Sequence, residues 1–168
     1  MVYRVDVLTD LLRFTENPCV MELNVFELNT ANETYLARLN VLLCQLSSSP
    51  RCLSLAALEA IVHSPNSHLF VVEADGVVAG MLTLGDYLTP TGRKMWIEDV
   101  VVDTAMRGRS LGRILVEYAI GYARKNGPLS LMLTSRPSRV AANELYRSCG
   151  FVFKETNNYR MDIPEGEL

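Results

Sequence analysis

The chain has 168 residues, 49% of them hydrophobic and 21% charged, with a formal net charge of −3. That length fits one domain with one core, and the mild acidity excludes a global basic field of the kind that binds nucleic acid. No apolar run reaches the roughly 18–20 residues that span a bilayer, and Arg4, Asp6, Asp10, Arg13 and Glu16 interrupt any leader-like core, so a cytoplasmic protein without a membrane or nucleic-acid partner is expected.

Residues 1–20 read as an N-terminal extension to a single domain at 21–168. Val5, Leu8, Leu11 and Leu12 give the extension a weak helical stripe, whereas 2–7 alternates like a strand; both readings stay open. A first strand is predicted over 22–28 and a helix over 32–46, broken by Ser47-Ser48-Ser49-Pro50. Ser54 suits the N-cap of a second helix carrying Leu55, Leu58, Ala60, Ile61 and Val62. Runs 68–74 and 77–84 flank Asp75-Gly76, a strong hairpin signal. A loop is predicted over 87–93, with Pro90 and Gly92, and then a strand over 94–102 whose apolar end suits a central position.

The clearest helix spans 111–125. Leu111, Ile114, Leu115, Tyr118, Ala119 and Tyr122 fall on one face, which assigns both tyrosines to the core. Arg124 and Lys125 suit its C-terminal dipole, and Asn126-Gly127-Pro128 stops it. A short buried strand over 129–134 and a helix over 140–149, closed by Gly150, follow. Segments 151–156 and 159–163 are predicted to form a closing hairpin around Asn157-Asn158. This order predicts an α/β (α+β mixed) sheet with helices on both faces.

Cys19, Cys44, Cys52 and Cys149 match no zinc spacing and read as reduced thiols. His63 and His68 flank the turn residues Ser64-Pro65-Asn66, so no metal site is expected.

The chemistry concentrates in the loop Met106-Arg107-Gly108-Arg109-Ser110-Leu111-Gly112-Arg113. A loop between a strand and a helix presents amides that have no intrahelical acceptor, in the positive field of the helix dipole. Arg107, Arg109 and Arg113 add full charges suited to a pyrophosphate, and Gly108 and Gly112 permit close backbone approach or positive φ. The loop lacks the G-K-[ST] ending of a nucleotide-triphosphatase and is not G-x-G-x-x-G. Taken alone, such a loop also fits a solvated helix cap.

Two motifs carry a family resemblance. Ile97-Glu98-Asp99-Val100-Val101-Val102-Asp103 followed by Arg107-Gly108-Arg109-Ser110-Leu111-Gly112 resembles the acetyl-CoA signature R/Q-x-x-G-x-G/A of GNAT acetyltransferases. Downstream, Ala142-x-x-Leu145-Tyr146-x-x-x-Gly150-Phe151 resembles that family's A-x-x-L-Y-x-x-x-G-F element. There are two departures: Ser110 stands at the signature's first glycine, and Arg139 stands where an asparagine often precedes the second element. Serine is a favoured N-cap and its N–H still faces phosphate, so binding is expected to survive. Arg139 is assigned to a phosphate of the cofactor.

The resemblance implies a GNAT-like central mixed sheet of about six to seven strands and a reaction between acetyl-CoA and an amine. It places the pantetheine arm along Val100, Val101 and Val102, and the diphosphate on Arg107, Gly108, Arg109, Ser110, Leu111, Gly112 and Arg113. An amine with a pKa near 10.4 arrives protonated and needs a base. Glu98 is the first choice, because period-two alternation puts it on the face of Val100 and Val102; Asp99 is the weaker candidate. Tyr146 is assigned as the general acid toward sulfur. Arg136 is a weaker candidate for a substrate or phosphate contact. The leading activity is N-acetylation of a small primary amine by direct attack in a ternary complex. Acetylation of a protein α-amino group or lysine, and a catalytically silent acyl-CoA-binding module, remain alternatives. A homodimer is expected.

Overall fold

The computed structural model describes residues 2–3, 21–47, 52–127 and 129–162. One sheet runs in the order β1 (Val2–Tyr3), β2 (Leu23–Glu27), β3 (Ser67–Ala74), β4 (Val77–Thr89), β5 (Gly92–Val102), β6 (Ser130–Leu133). Five of these carry the sheet, since β1 is a two-residue pairing with β2. All neighbours are antiparallel except β5 and β6, which are parallel. That parallel pair needs a crossover connection, and α3 (Leu111–Lys125) supplies it.

Local chemistry sets the boundaries. Asn32 caps α1 (Glu33–Leu46) by accepting the Tyr35 N–H, and Ser54 caps α2 (Leu55–Val62) by accepting the Ala57 N–H. Asp75 and Gly76 both adopt positive φ, 50° and 76°, as a two-residue hairpin turn requires. The helices cover both faces. Leu115, Val116 and Ala119 of α3 pack on Phe70, Leu82, Met95 and Ile97, and Tyr146 of α4 (Val140–Ser148) joins that cluster. Leu39 and Leu42 of α1 and Leu58 of α2 pack on Leu69, Val71, Met81 and Val101. Tyr118 and Tyr122 border the first cluster, as their stripe predicts.

Two sequence expectations need correction. The loop over 87–93 is a tight hairpin: β4 continues to Thr89 and β5 starts at Gly92. Pro90-Thr91 make the turn, and the Thr89 hydroxyl donates to the Gly92 carbonyl at 2.8 Å. The closing hairpin over 151–156 and 159–163 is absent from the described residues. Residues 151–162 form no strand, and 152–162 are exposed. The β-rich composition is real, but a strand needs an edge to pair with, and this segment pairs with none among the described residues. Residue 163, most of the extension at 4–20, Ser48-Ser49-Pro50 and Pro128 lie outside the described residues.

Candidate active site

The site begins with a fault in β5. Met81 pairs with Val101 and Thr83 with Glu98, so Leu82 alone opposes both Asp99 and Val100. This is a β-bulge, and Asp99 takes the left-handed conformation, φ 52°. Asp tolerates that region better than most residues, because its short polar side chain bonds locally. The extra residue shifts the alternation. Met95 and Ile97 face α3, Val101 faces α1, and Val100 and Val102 return to the α3 side. The face argument for Glu98 therefore fails: the bulge falls between it and Val100.

A second consequence is an opening in the sheet. The parallel pairing ends at Ile97 with Leu133. Beyond it β5 and β6 part, and a groove of about 820 Å³ opens along Val100, Val101 and Val102. Its far walls are Leu111, Gly112 and Arg113 at the start of α3, and Arg139, Ala142, Leu145 and Tyr146.

The phosphate-loop residues fall into place unequally. The first intrahelical bond of α3 runs from the Ile114 N–H to the Ser110 carbonyl, 3.1 Å. The amides of Leu111, Gly112 and Arg113 precede it and have no helical acceptor. Ser110 is left-handed, φ 59°, and its side chain caps none of them. The serine cap expected from sequence is thus not formed; the position asks for glycine's backbone freedom. Gly108 is also left-handed, at φ 78°. Gly112 serves packing, since a Cβ there would lie 3.3 Å from Leu145 Cδ2.

Arg107 and Arg113 line the groove, but Arg109 does not: its Nη1 lies 3.5 Å from Met21 Sδ. Arg113 also donates to Ser148 Oγ at 2.7 Å, pinning α3 to α4. Arg139 donates to the Leu46 carbonyl at 3.0 Å, which ties it to the end of α1.

A smaller pocket of about 240 Å³ adjoins the groove, with Glu98, Asp99, Thr134 and Arg136 in its wall. Leu46, Val100, Arg139 and Tyr146 line both cavities. Loss of hydration raises the pKa of Glu98, and the neighbouring Asp99 charge raises it further. Loss of hydration also raises that of Asp99. Both carboxyls keep a solvent-facing side, which limits these effects. Tyr146 is buried and its pKa is raised, mainly by burial. Its phenol stays protonated through neutral pH, and the residue lines both cavities.

Sequence reading missed the part played by α1. Gln45 lines the groove and accepts the Thr104 N–H at 2.8 Å, while Leu46 and Ser47 line the small pocket. Their only signal is position at a helix end, and tertiary packing brings them to the site. Arg38 fixes this arrangement. It donates to the Val78 carbonyl at 2.7 Å and to Asp103 Oδ2 at 3.0 Å. Asp103 also accepts the Ala105 N–H at 3.1 Å, and that bond, followed by Arg38, holds its carboxyl below the usual range. No cluster of metal-ligating side chains occurs among the described residues.

A family model described as the Acetyltransferase (GNAT) family matches residues 24–151. The chain belongs to the GNAT acetyltransferase family. Glucosamine 6-phosphate N-acetyltransferase 1 of Oryza sativa subsp. japonica is 34% identical over 128 residues, covering 67% of this chain and 72% of that protein. Streptothricin acetyltransferase of Streptomyces lavendulae is 32% identical over 105 residues, covering 61% and 54%. Among solved structures, a putative acetyltransferase from Agrobacterium tumefaciens str. C58 superposes with a TM-score of 0.70 at 28% identity, covering 83% of this chain and 99% of that one. The aminoglycoside N-acetyltransferase AAC(6')-Iy in complex with CoA shares the fold, with a TM-score of 0.70 at 17% identity, covering 88% and 99%. As a GNAT acetyltransferase, the chain is an acyltransferase that uses acetyl-CoA. The opened strand edge, the unpaired α3 amides and the adjoining groove suit such a cosubstrate.

Proposed function

We propose that the chain acetylates the primary amine of a small metabolite that also carries an anionic group. The observation that carries this is the seam between the cavities. Val100, Arg139 and Tyr146 belong both to the groove that suits a CoA thioester and to the pocket that holds two carboxylates. An acceptor in the small pocket thus meets the acyl group at Tyr146. A volume near 240 Å³ suits a metabolite rather than a protein chain.

When bound, acetyl-CoA supplies the acetyl group as a thioester. The α3 amides with Arg107 and Arg113 hold the diphosphate. A backbone N–H on the β5 edge that β6 leaves free polarises the acyl oxygen. Glu98, its pKa raised toward neutrality, takes a proton from the ammonium. The nitrogen lone pair forms the new C–N bond as the C–S bond breaks; the Tyr146 hydroxyl gives its proton to the sulfur, and the second proton shed by the nitrogen restores the phenol. Arg136, with Arg139, gives the acceptor's anion a counter-charge. The relative named for glucosamine 6-phosphate supports an amino-sugar phosphate as the first acceptor to try.

We further propose a cytoplasmic homodimer. Cys44, Cys52 and Cys149 are free thiols, which suits a reducing compartment. The deciding experiment is a thiol-release assay with acetyl-CoA across amines with and without phosphate. Release with a phosphorylated amine at a kcat/KM well above that of its unphosphorylated analogue supports the reading. Turnover indifferent to the phosphate removes the anionic group from it, and binding of acetyl-CoA with no release on any amine removes catalysis.

A further inference from the structure

The last turn of α1 carries a leucine where the two cavities meet. Leu46 lines both of them, together with Val100, Arg139 and Tyr146. Of these residues only Leu46 and Val100 are aliphatic. They belong to opposite faces of the sheet. Leu46 packs with the cluster that holds Leu39, Leu42 and Val101, and Val100 with the cluster that holds Leu111 and Leu115. Both reach the seam because the parallel pairing of β5 with β6 ends at Ile97 and Leu133.

The turn that carries this leucine is held from several sides. The Leu46 carbonyl accepts from Arg139 Nη2 at 3.0 Å, which ties it to the N-cap residue of α4. Next to it, Gln45 Oε1 accepts the Thr104 N–H at 2.8 Å. The Ser47 N–H donates to the Leu43 carbonyl at 3.4 Å and closes the helix. Earlier in α1, Arg38 donates to the Val78 carbonyl and to Asp103. The backbone under Leu46 therefore has little room to retreat. A side chain held in this way selects by volume, because packed interiors are dense and extra methylenes force strain.

We propose that Leu46 sets the length of the acyl group that this enzyme accepts. The inference rests on the acetyl-transfer reading, which puts the acyl group at the seam beside Tyr146. There the acyl carbonyl has the free β5 edge to bond with, and the methyl has Leu46 and Val100 as its aliphatic neighbours. A longer chain must press on the held leucine or turn into the small pocket. That pocket is walled by Glu98, Asp99, Thr134 and Arg136, where added methylenes gain little apolar contact. Truncating Leu46 opens apolar room on the side where the chain grows. Valine frees space for one methylene and alanine for more.

Calorimetry with CoA, acetyl-CoA, propionyl-CoA and butyryl-CoA tests this without any acceptor, on the native chain, Leu46→Val and Leu46→Ala. Free CoA carries no acyl group, so both variants should bind it as the native chain does. The native chain should bind butyryl-CoA no more tightly than acetyl-CoA. Leu46→Ala should bind butyryl-CoA about tenfold more tightly than acetyl-CoA, the gain expected from burying two methylenes. Leu46→Val should favour propionyl-CoA over acetyl-CoA by about threefold, the gain from one. A leucine with a merely structural role would shift all the affinities together. Equal affinities for acetyl-CoA and butyryl-CoA in Leu46→Ala overturn the proposal and leave the transfer reading standing. If Leu46→Ala no longer binds free CoA, Leu46→Val decides, and the absence of a propionyl-CoA preference there overturns the proposal in the same way. A native chain that already favours butyryl-CoA overturns it too. If the native chain binds neither CoA nor acetyl-CoA, the transfer reading falls and the proposal falls with it.

Discussion

Glu98 and Asp99 are adjacent in β5 yet line the same pocket, which neighbours on a regular strand do not do. The bulge at Asp99 brings the two carboxyls together, and each raises the question of which one takes the proton. Loss of hydration, and after it the Asp99 charge, raise the pKa of Glu98, so the acidic limb of the kcat/KM profile should lie above the ordinary glutamate range, near 4.3. Asp99→Asn removes a neighbouring negative charge. It should therefore move that limb to lower pH while leaving the plateau within a few-fold. Glu98→Gln should abolish the limb and lower the plateau by about 10²–10⁴-fold. A profile whose limb survives Glu98→Gln and disappears with Asp99→Asn would transfer the base role to Asp99.

Tyr146 offers a separate test because it stands where the two cavities meet. The ring is buried in the first core cluster, and the residue lines both cavities. Tyr146→Phe should leave the unfolding free energy within about 0.5 kcal/mol. If the hydroxyl protonates the sulfur, kcat should fall by about 10²-fold with little change in acetyl-CoA affinity. Unchanged kcat at saturating acceptor would remove the acid role. A large loss of stability would show that the phenol is structural.

Ser110 tests the phosphate loop. Its φ of 59° is left-handed and its side chain caps nothing. Ser110→Ala should therefore cost much less than the roughly 1 kcal/mol of a lost N-cap. Ser110→Gly relieves a conformation that costs an L-residue about 1–2 kcal/mol, against about 0.5–1 kcal/mol of added chain entropy. Its stability should match or exceed that of the native chain in urea unfolding. Acetyl-CoA affinity should survive both changes if, as proposed, the α3 amides rather than the Ser110 hydroxyl hold the diphosphate. A tenfold loss in Ser110→Ala would give the hydroxyl a binding role.

These tests mark where sequence was legible. The α3 stripe, the loop before it and the Ala142–Phe151 element could be read because periodicity and glycine placement act over a few residues. The bulge could not. Glu98-Asp99-Val100-Val101-Val102 reads as an unbroken strand, and the residue that takes positive φ is aspartate rather than glycine. The edge contacts of Gln45 and Leu46 depend on where α1 lands, which its own sequence does not encode. Segment 151–162 shows the converse case: strand composition is visible, but pairing depends on an available edge.

Arg38 and Asp103 give the last prediction, which concerns pH and stability. Asp103 accepts the Ala105 N–H and the Arg38 guanidinium, and both bonds hold its folded-state pKa below the usual value. A depressed carboxylate pKa stabilises the fold above the unfolded value of about 3.9, and that contribution is lost as pH falls through the folded value. Asp103→Ala should therefore destabilise by about 1 kcal/mol at pH 7, and the difference from the native chain should shrink steadily below pH ~4. Because Arg38 and Gln45 clamp this turn to α1, the same variant should loosen the approach to Arg107 and weaken acetyl-CoA binding at neutral pH. Urea unfolding of both proteins from pH 7 down to pH ~3, with calorimetry at pH 7, measures the two effects. A stability difference that persists unchanged at the acidic end would mean that the ionised carboxylate is not what holds the turn.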